Sequence, residues 1–179
     1  MIIQIRGTSG SGKSTVVKKL LSQNWDWTPI FKSGRKKPLY YKTKGIVVLG
    51  HYESPCGGCD TIGSAPKIFE LIKEVIEKEN PKTLICEGLL LSEDVKWTSQ
   101  LVDYGLVVLY LTTPSEECLV RIKQRRSAVG NEKELNPSNT LNRVAIIEKS
   151  RVKLKEKNVK CIRTSSDQAF SKLMKLLKG

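Results

Sequence analysis

The sequence holds one histidine, His51, among its 179 residues, and only 6% of it is aromatic. A single histidine leaves no Cys/His constellation for a zinc site: Cys56-x-x-Cys59 has no second C-x-x-C or Cys/His pair to complete it. The five cysteines are odd in number and show no disulfide framework, which suits a reducing cytosol. The longest clean apolar run, residues 106–111, falls far short of the ~20 residues a spanning helix needs. Residues 1–6 (MIIQIR) lack the basic start and long apolar stretch of a signal peptide. Membrane and secreted classes are therefore not expected, and a cytoplasmic protein is. There is no internal repeat and no low-complexity tract.

Acidic residues are also scarce, 18 against 31 basic ones, for a net charge of +13. The imbalance is uneven. Residues 1–60 carry +7, residues 61–118 carry −5, and residues 119–179 carry +11. Two basic blocks around an acidic middle suit a polyanionic partner or a site crowded with phosphates, though solvated surface lysines give the same total.

What is present alternates between β-rich and helical runs. Strands are expected at 2–6, 44–50, 83–86, 106–111 and 159–162. Helices are expected at about 13–23, 64–79, 93–104, 115–128, 139–157 and from 167 onward. Thr113-Pro114-Ser115-Glu116 reads as a capping box opening the fourth helix. Strands separated by helices of this length predict an α/β fold: a doubly wound, parallel five-stranded sheet with helices on both faces. Residues 24–44, with two tryptophans and the basic run 32–37, fit this pattern badly. They read as an insertion beside the site and within one domain, with a hairpin of 38–43 into 46–49.

Residues 7–14 (Gly7, Thr8, Ser9, Gly10, Ser11, Gly12, Lys13, Ser14) match G-x-x-x-x-G-K-[ST] at every fixed position, between an apolar strand and a helix. Glycines let successive N–H groups curl inward onto phosphate oxygens, and the helix N-terminus adds partial positive charge. Lys13 reaches the β- and γ-phosphates, the Ser14 hydroxyl ligates Mg²⁺, and Thr15 completes the segment. This is a site for ATP or another nucleoside triphosphate. Glu87 ends the apolar run 83–87, where a strand-end acid either holds Mg²⁺ through water or takes a proton from an attacking hydroxyl. Arg121 and Arg125 share a helix face at i, i+4, which fits a lid over 121–140 closing on the transferring phosphoryl group; a solvated basic helix end is the plainer alternative. Residues 50–61 leave the C-terminal end of a strand and supply His51, Tyr52, Glu53 and Asp60. With Arg35 from the basic run, these are the candidate acceptor-binding residues.

The P-loop, the strand-end acid and the arginine-bearing helix span nearly the whole chain. Together they resemble the P-loop kinases of the thymidylate-kinase and nucleoside-monophosphate-kinase group, a fold with a lid. Residues 51–61 (HYESPCGGCDT) and 135–140 (LNPSNT) look closer to a phage branch, the 5-hydroxymethyluracil DNA kinases. That resemblance implies phosphorylation of the 5-hydroxymethyl group of a modified thymine already in DNA, in the cytoplasm of an infected host. Thymidylate kinases carry Asp-Arg after the third strand where this chain has Glu87-Gly88-Leu89, a departure that favours an alcohol acceptor. The charge and the run 32–44, with Phe31, Tyr40 and Tyr41, fit a polymer substrate. The alternatives are a kinase of free nucleosides or nucleotides, and an ATP-hydrolysing switch with no phosphorylated product.

Overall fold

A computed structural model describes residues 1–54, 57–131 and 134–178. Among these, seven strands form one sheet: β1 (Ile2–Arg6), β2 (Thr28–Ile30), β3 (Tyr40–Thr43), β4 (Ile46–Leu49), β5 (Thr83–Glu87), β6 (Leu106–Leu111) and β7 (Lys160–Thr164). Their order is β2-β3-β4-β5-β1-β6-β7. The five strands from β4 to β7 in that order are parallel, as expected. Every residue of β1, β5 and β6 is buried, which is why these segments read as unbroken apolar runs.

The helices α1 (Lys13–Leu21), α2 (Ala65–Glu79), α3 (Leu89–Glu93), α4 (Ser115–Ser127), α5 (Pro137–Glu156) and α6 (Ser166–Lys178) cover the sheet. Alternate residues of the strands feed two cores. Ile3 and Ile5 meet Val17 and Leu20 of α1 and Leu173 of α6 on one face. On the other, Ile2 and Val108 meet Ile68 and Ile72 of α2 and Leu154 of α5. Each such fully buried branched side chain contributes about 1.5–3 kcal/mol. No helix among the described residues is long and apolar enough to cross a membrane.

Three expectations change. The parallel part of the sheet has the five strands expected, and the hairpin of 38–43 with 46–49 forms, but the sheet as a whole has seven strands: β3 joins β4 antiparallel, and the unexpected β2 joins β3. The hairpin covers the edge that β4 would otherwise leave unpaired. The helix expected at 93–104 is split. Asp94 takes an extended conformation after α3, and its carboxylate accepts from the N–H groups of Trp97 (3.3 Å) and Thr98 (2.7 Å), starting a separate 3-10 segment at Thr98–Tyr104. The capping box does not form either: no side chain caps α4, and the Thr113 hydroxyl instead donates to the Ser11 carbonyl at 2.8 Å.

Candidate active site

The P-loop leaves β1 between β5 and β6, the point in an open α/β sheet where ligands bind. Its curl is enforced from outside. Gly10 sits at φ +78°, and a Cβ there would lie 2.4 Å from the Cys118 carbonyl oxygen of α4, so only glycine lets helix and loop meet. Lys13, buried at the start of α1, donates to the carbonyls of Gly7 (2.8 Å) and Thr8 (3.0 Å). Those bonds hold its ammonium across the mouth of the loop. The hydroxyls of Thr8 and Ser11 are buried without a partner.

Register brings the acid to the loop. Ile5 of β1 lies beside Glu87 of β5, and the Ser14 hydroxyl donates to Glu87 Oε1 at 2.8 Å. Glu87 is 2% exposed. Burial raises its pKa above the ordinary carboxylate range, against the pull of Lys13 and the Ser14 hydroxyl. Burial likewise lowers the Lys13 pKa, while Glu87 and Asp60 raise it. Gly58 packs on the acid so closely that a Cβ would stand 2.3 Å from Glu87 Oε1.

Serine and arginine side chains behind the loop fix this arrangement. Ser92 Oγ accepts the Gly7 N–H (3.1 Å) and donates to the Gly88 carbonyl (2.7 Å), joining the start of the P-loop to the turn after Glu87. Arg6, the last residue of β1, is fully buried. It donates to Gln4 Oε1 (2.8 and 3.0 Å), to the carbonyls of Ser92 (3.3 Å) and Asp94 (2.8 Å), and to Thr98 Oγ1 (2.5 Å). Sequence reasoning misses both residues. The signal available is a charged residue closing an otherwise apolar strand directly before the P-loop.

A cavity of about 800 Å³ opens above these groups, lined by P-loop residues 9–10 and 12–14, Thr15, Glu87, Arg121, Arg125, Ser166, Asp167 and Phe170. Arg121 reaches the loop, donating to the Gly10 carbonyl at 3.4 Å, and it pairs with Glu117. A second cavity of about 600 Å³ lies across the P-loop, between α3, α4 and α5. Its wall includes Thr8, Glu93, Arg126, Asn136, Asn139, Asn142 and Arg143, and it shares Ser9, Leu89 and Arg125 with the first. The Arg143–Glu93 ion pair at 2.5 Å ties α5 to α3 beside it.

The loop at 50–61 is placed differently from the rest of the expected site. Gly58 N–H donates to the His51 carbonyl at 2.9 Å and closes the loop on itself. His51 and Tyr52 are buried; Nδ1 of His51 has no hydrogen-bond partner, and the Tyr52 hydroxyl donates to the Leu49 carbonyl at 3.1 Å. Asp60 lines the larger cavity while accepting the N–H groups of Leu89 (2.8 Å) and Leu90 (3.0 Å) at the start of α3. Glu53 is exposed, and Arg35 is half-exposed on the connection between β2 and β3. Cys56 lies outside the described residues, and Cys59 is a buried free thiol.

No family model matches the chain. A protein of Pseudomonas phage PaMx11 named 5-hmdU DNA kinase is 37% identical to it over 186 aligned residues, covering 99% of this chain and 97% of that protein. The chain belongs to the 5-hmdU DNA kinase family. Proteins of the same name from Bacillus phage SP10 and Delftia phage PhiW-14 are 29% and 28% identical to this kinase over 70% and 77% of its length, and over 21% and 58% of their own. Among solved structures, a deoxyadenosine kinase from M. mycoides with bound dATP aligns over the full length of both chains with TM-score 0.49 and 16% identity, a likeness from which nothing further follows. The kinase has the P-loop NTPase fold and uses a nucleotide.

Proposed function

We propose that this kinase transfers the γ-phosphate of ATP to the hydroxymethyl oxygen of 5-hydroxymethyl-deoxyuridine within DNA. The observation that carries the reading is the pair of cavities meeting at the P-loop, with Ser9, Leu89 and Arg125 in both walls. ATP in the larger one directs its γ-phosphate toward the smaller, and Arg125 lies at the junction, where charge develops during transfer. The smaller cavity has the volume of a small-molecule pocket, not of a duplex, so the acceptor base enters it extruded from its stack. Three asparagines, Asn136, Asn139 and Asn142, offer amide donors and acceptors to a base edge. Two of them, Asn136 and Asn139, lie in the 135–140 segment that carries the phage resemblance.

In the transfer, the acceptor oxygen forms a bond to the γ-phosphorus as the bond to the β,γ-bridging oxygen breaks and ADP leaves; the hydroxyl proton passes to Glu87 or to water. Lys13 exchanges its two carbonyl partners for phosphate oxygens, and Arg121 and Arg125 close on the transferring group. A magnesium ion fits the residues present. Ser14 and Glu87 converge on one point, and a buried carboxylate with raised proton affinity is relieved by a cation. Ser14 and Glu87, together with the nucleotide's phosphates, would hold the ion, and when bound it would neutralise phosphate charge. A reaction that joins ATP to phage DNA is one for the cytoplasm of an infected host.

The test is γ-labelled ATP offered to 5-hydroxymethyluracil DNA, to thymine DNA, and to free thymidine and 5-hydroxymethyl-deoxyuridine nucleosides and nucleotides. Label on the modified DNA, absent from thymine DNA, is the expected result. Label on free nucleotides with DNA untouched overturns the reading.

A further inference from the structure

The basic run on the β2–β3 connection is the least explained feature of the surface. Register fixes where it lies. Ile30 pairs with Tyr40, and Tyr40 with Leu49, so residues 31–39 emerge where β4 ends. Because β4, β5 and β1 are parallel, this is the end at which Glu87 and the P-loop leave the sheet. Two backbone bonds pin the base of the connection: Leu39 N–H to the Ile30 carbonyl (2.7 Å) and Gly50 N–H to the Leu39 carbonyl (2.9 Å). Beyond them the tip turns at Arg35 N–H to Lys32 carbonyl (3.0 Å), and around Gly34 there is open space.

The tip bears Lys32, Arg35, Lys36 and Lys37. All but Arg35 are exposed, and Phe31 beside them is 53% exposed. Among the described residues none of the four cations forms an ion pair. The strand half of the same basic segment behaves otherwise: Lys42 is paired with Glu79 at 2.7 Å, Tyr40 donates to that carboxylate at 2.7 Å, and Tyr41 packs against Tyr52. The polymer surface expected over 32–44 therefore contracts to the tip. The tip's charge is felt at the site edge, where burial together with Lys37 and Arg35 holds the His51 imidazole below its usual pKa. Four uncompensated cations on one short turn repel one another, and a polyanion removes that cost.

We propose that the 31–37 tip grips the DNA backbone several nucleotides from the acceptor base, an inference resting on the function proposed above. Strands lie about 4.8 Å apart, so the tip, which joins β2 to β3, the fourth and third strands from β1, stands roughly 14–19 Å from β1 along the sheet edge. With one phosphate per ~3.4 Å of strand, it meets phosphates about four to six positions from the nucleotide being modified. The free nucleoside and a trinucleotide are too short to reach it.

The experiment compares wild type with a variant carrying Lys32→Gln, Lys36→Gln and Lys37→Gln. A charge-matched control, Lys153→Gln, Lys155→Gln and Lys157→Gln, alters exposed residues about the α5–β7 connection, at the opposite edge and end of the sheet. Equilibrium binding to modified duplex DNA is measured across salt concentrations, and phosphotransfer is measured on a long duplex and on the trinucleotide. The tip variant should lower the slope of log affinity against log salt by about 0.9 for each phosphate it no longer neutralises, up to about 3 in all. It should lose transfer to long DNA, keep transfer to the trinucleotide, and differ from the control in both. A slope equal to wild type, or equal losses on long and short substrates, overturns the proposal. A reduced slope with no transfer by wild type to any DNA supports the tip as a DNA-binding element and overturns the proposed reaction instead.

Discussion

Ser92 provides the sharpest test of how the site is held together. Its hydroxyl is the acceptor for the Gly7 N–H and a donor to the Gly88 carbonyl, and it is fully buried. Ser92→Ala strands the Gly7 N–H away from water, which costs about 1–3 kcal/mol. The Gly88 carbonyl keeps the Ser92 backbone N–H at 3.0 Å, so loss of the second bond costs only about 0.5–1.5 kcal/mol. The helix preference of alanine returns at most about half a kcal/mol. The net is about 1–4.5 kcal/mol. For a chain of this size that corresponds to a fall in Tm of roughly 2–18 °C. Because the same hydroxyl spaces the P-loop from Glu87, kcat falls too, by up to about a hundredfold for an ångström of misplacement. Thermal unfolding with and without Mg·ATP, alongside steady-state kinetics, measures both effects; bound nucleotide should restore part of the stability. Ser92→Cys, a weak donor of similar size, should fall between. A Tm within about a degree of wild type and an unchanged kcat would refute the reasoning.

Other perturbations have equally definite outcomes. Gly58→Ala places a methyl group 2.3 Å from Glu87 Oε1 at a φ of +75°, so kcat should fall at least about tenfold while the fold, read by circular dichroism, survives. Because burial raises the Glu87 pKa, kcat/KM should fall on the acid side at a pH above the ordinary carboxylate range, and Glu87→Gln should abolish that limb along with most of the activity. In the nucleotide-free protein the raised pKa has the opposite sense for stability. The contribution of Glu87 is fully present below its unfolded pKa and is lost as pH rises through the folded value, so Glu87→Gln should flatten that part of the unfolding profile. Asp60→Ala should cost about 1 kcal/mol by uncapping α3 and raise the ATP KM, read by calorimetry and kinetics.

The P-loop and the parallel order of the sheet are legible in the sequence because both are local. A glycine-lysine-serine spacing and a run of apolar β-branched residues fix their conformations within a few positions. Within residues 24–44 the hairpin of 38–43 with 46–49 is legible but β2 is not, because nothing in residues 28–30 shows that β3 leaves an edge to pair with; that edge exists only once the sheet is assembled. Asp60 reads as an acceptor ligand since sequence shows a carboxylate in a glycine-rich loop; its further bonds to the backbone N–H groups of Leu89 and Leu90 emerge only in the fold. The second cavity is invisible for the same reason. Its walls come from α3, α4 and α5, and the ion pair beside it joins residues 50 positions apart. Arg6 satisfies its guanidinium on oxygens as far away as Ser92 and Thr98, so its role emerges only in three dimensions.

The measurement that tests the central claim most directly uses a covalently closed circular duplex containing 5-hydroxymethyluracil, which has no strand ends to accept phosphate. After incubation with γ-labelled ATP and the kinase, with Lys13→Ala as the blank, the circle is digested to nucleosides and these are resolved by mass spectrometry. The account predicts label on a phosphorylated 5-hydroxymethyl-deoxyuridine that phosphatase converts back to its parent. Label found only on linear DNA, at 5′ ends, or only on free nucleotides would contradict it.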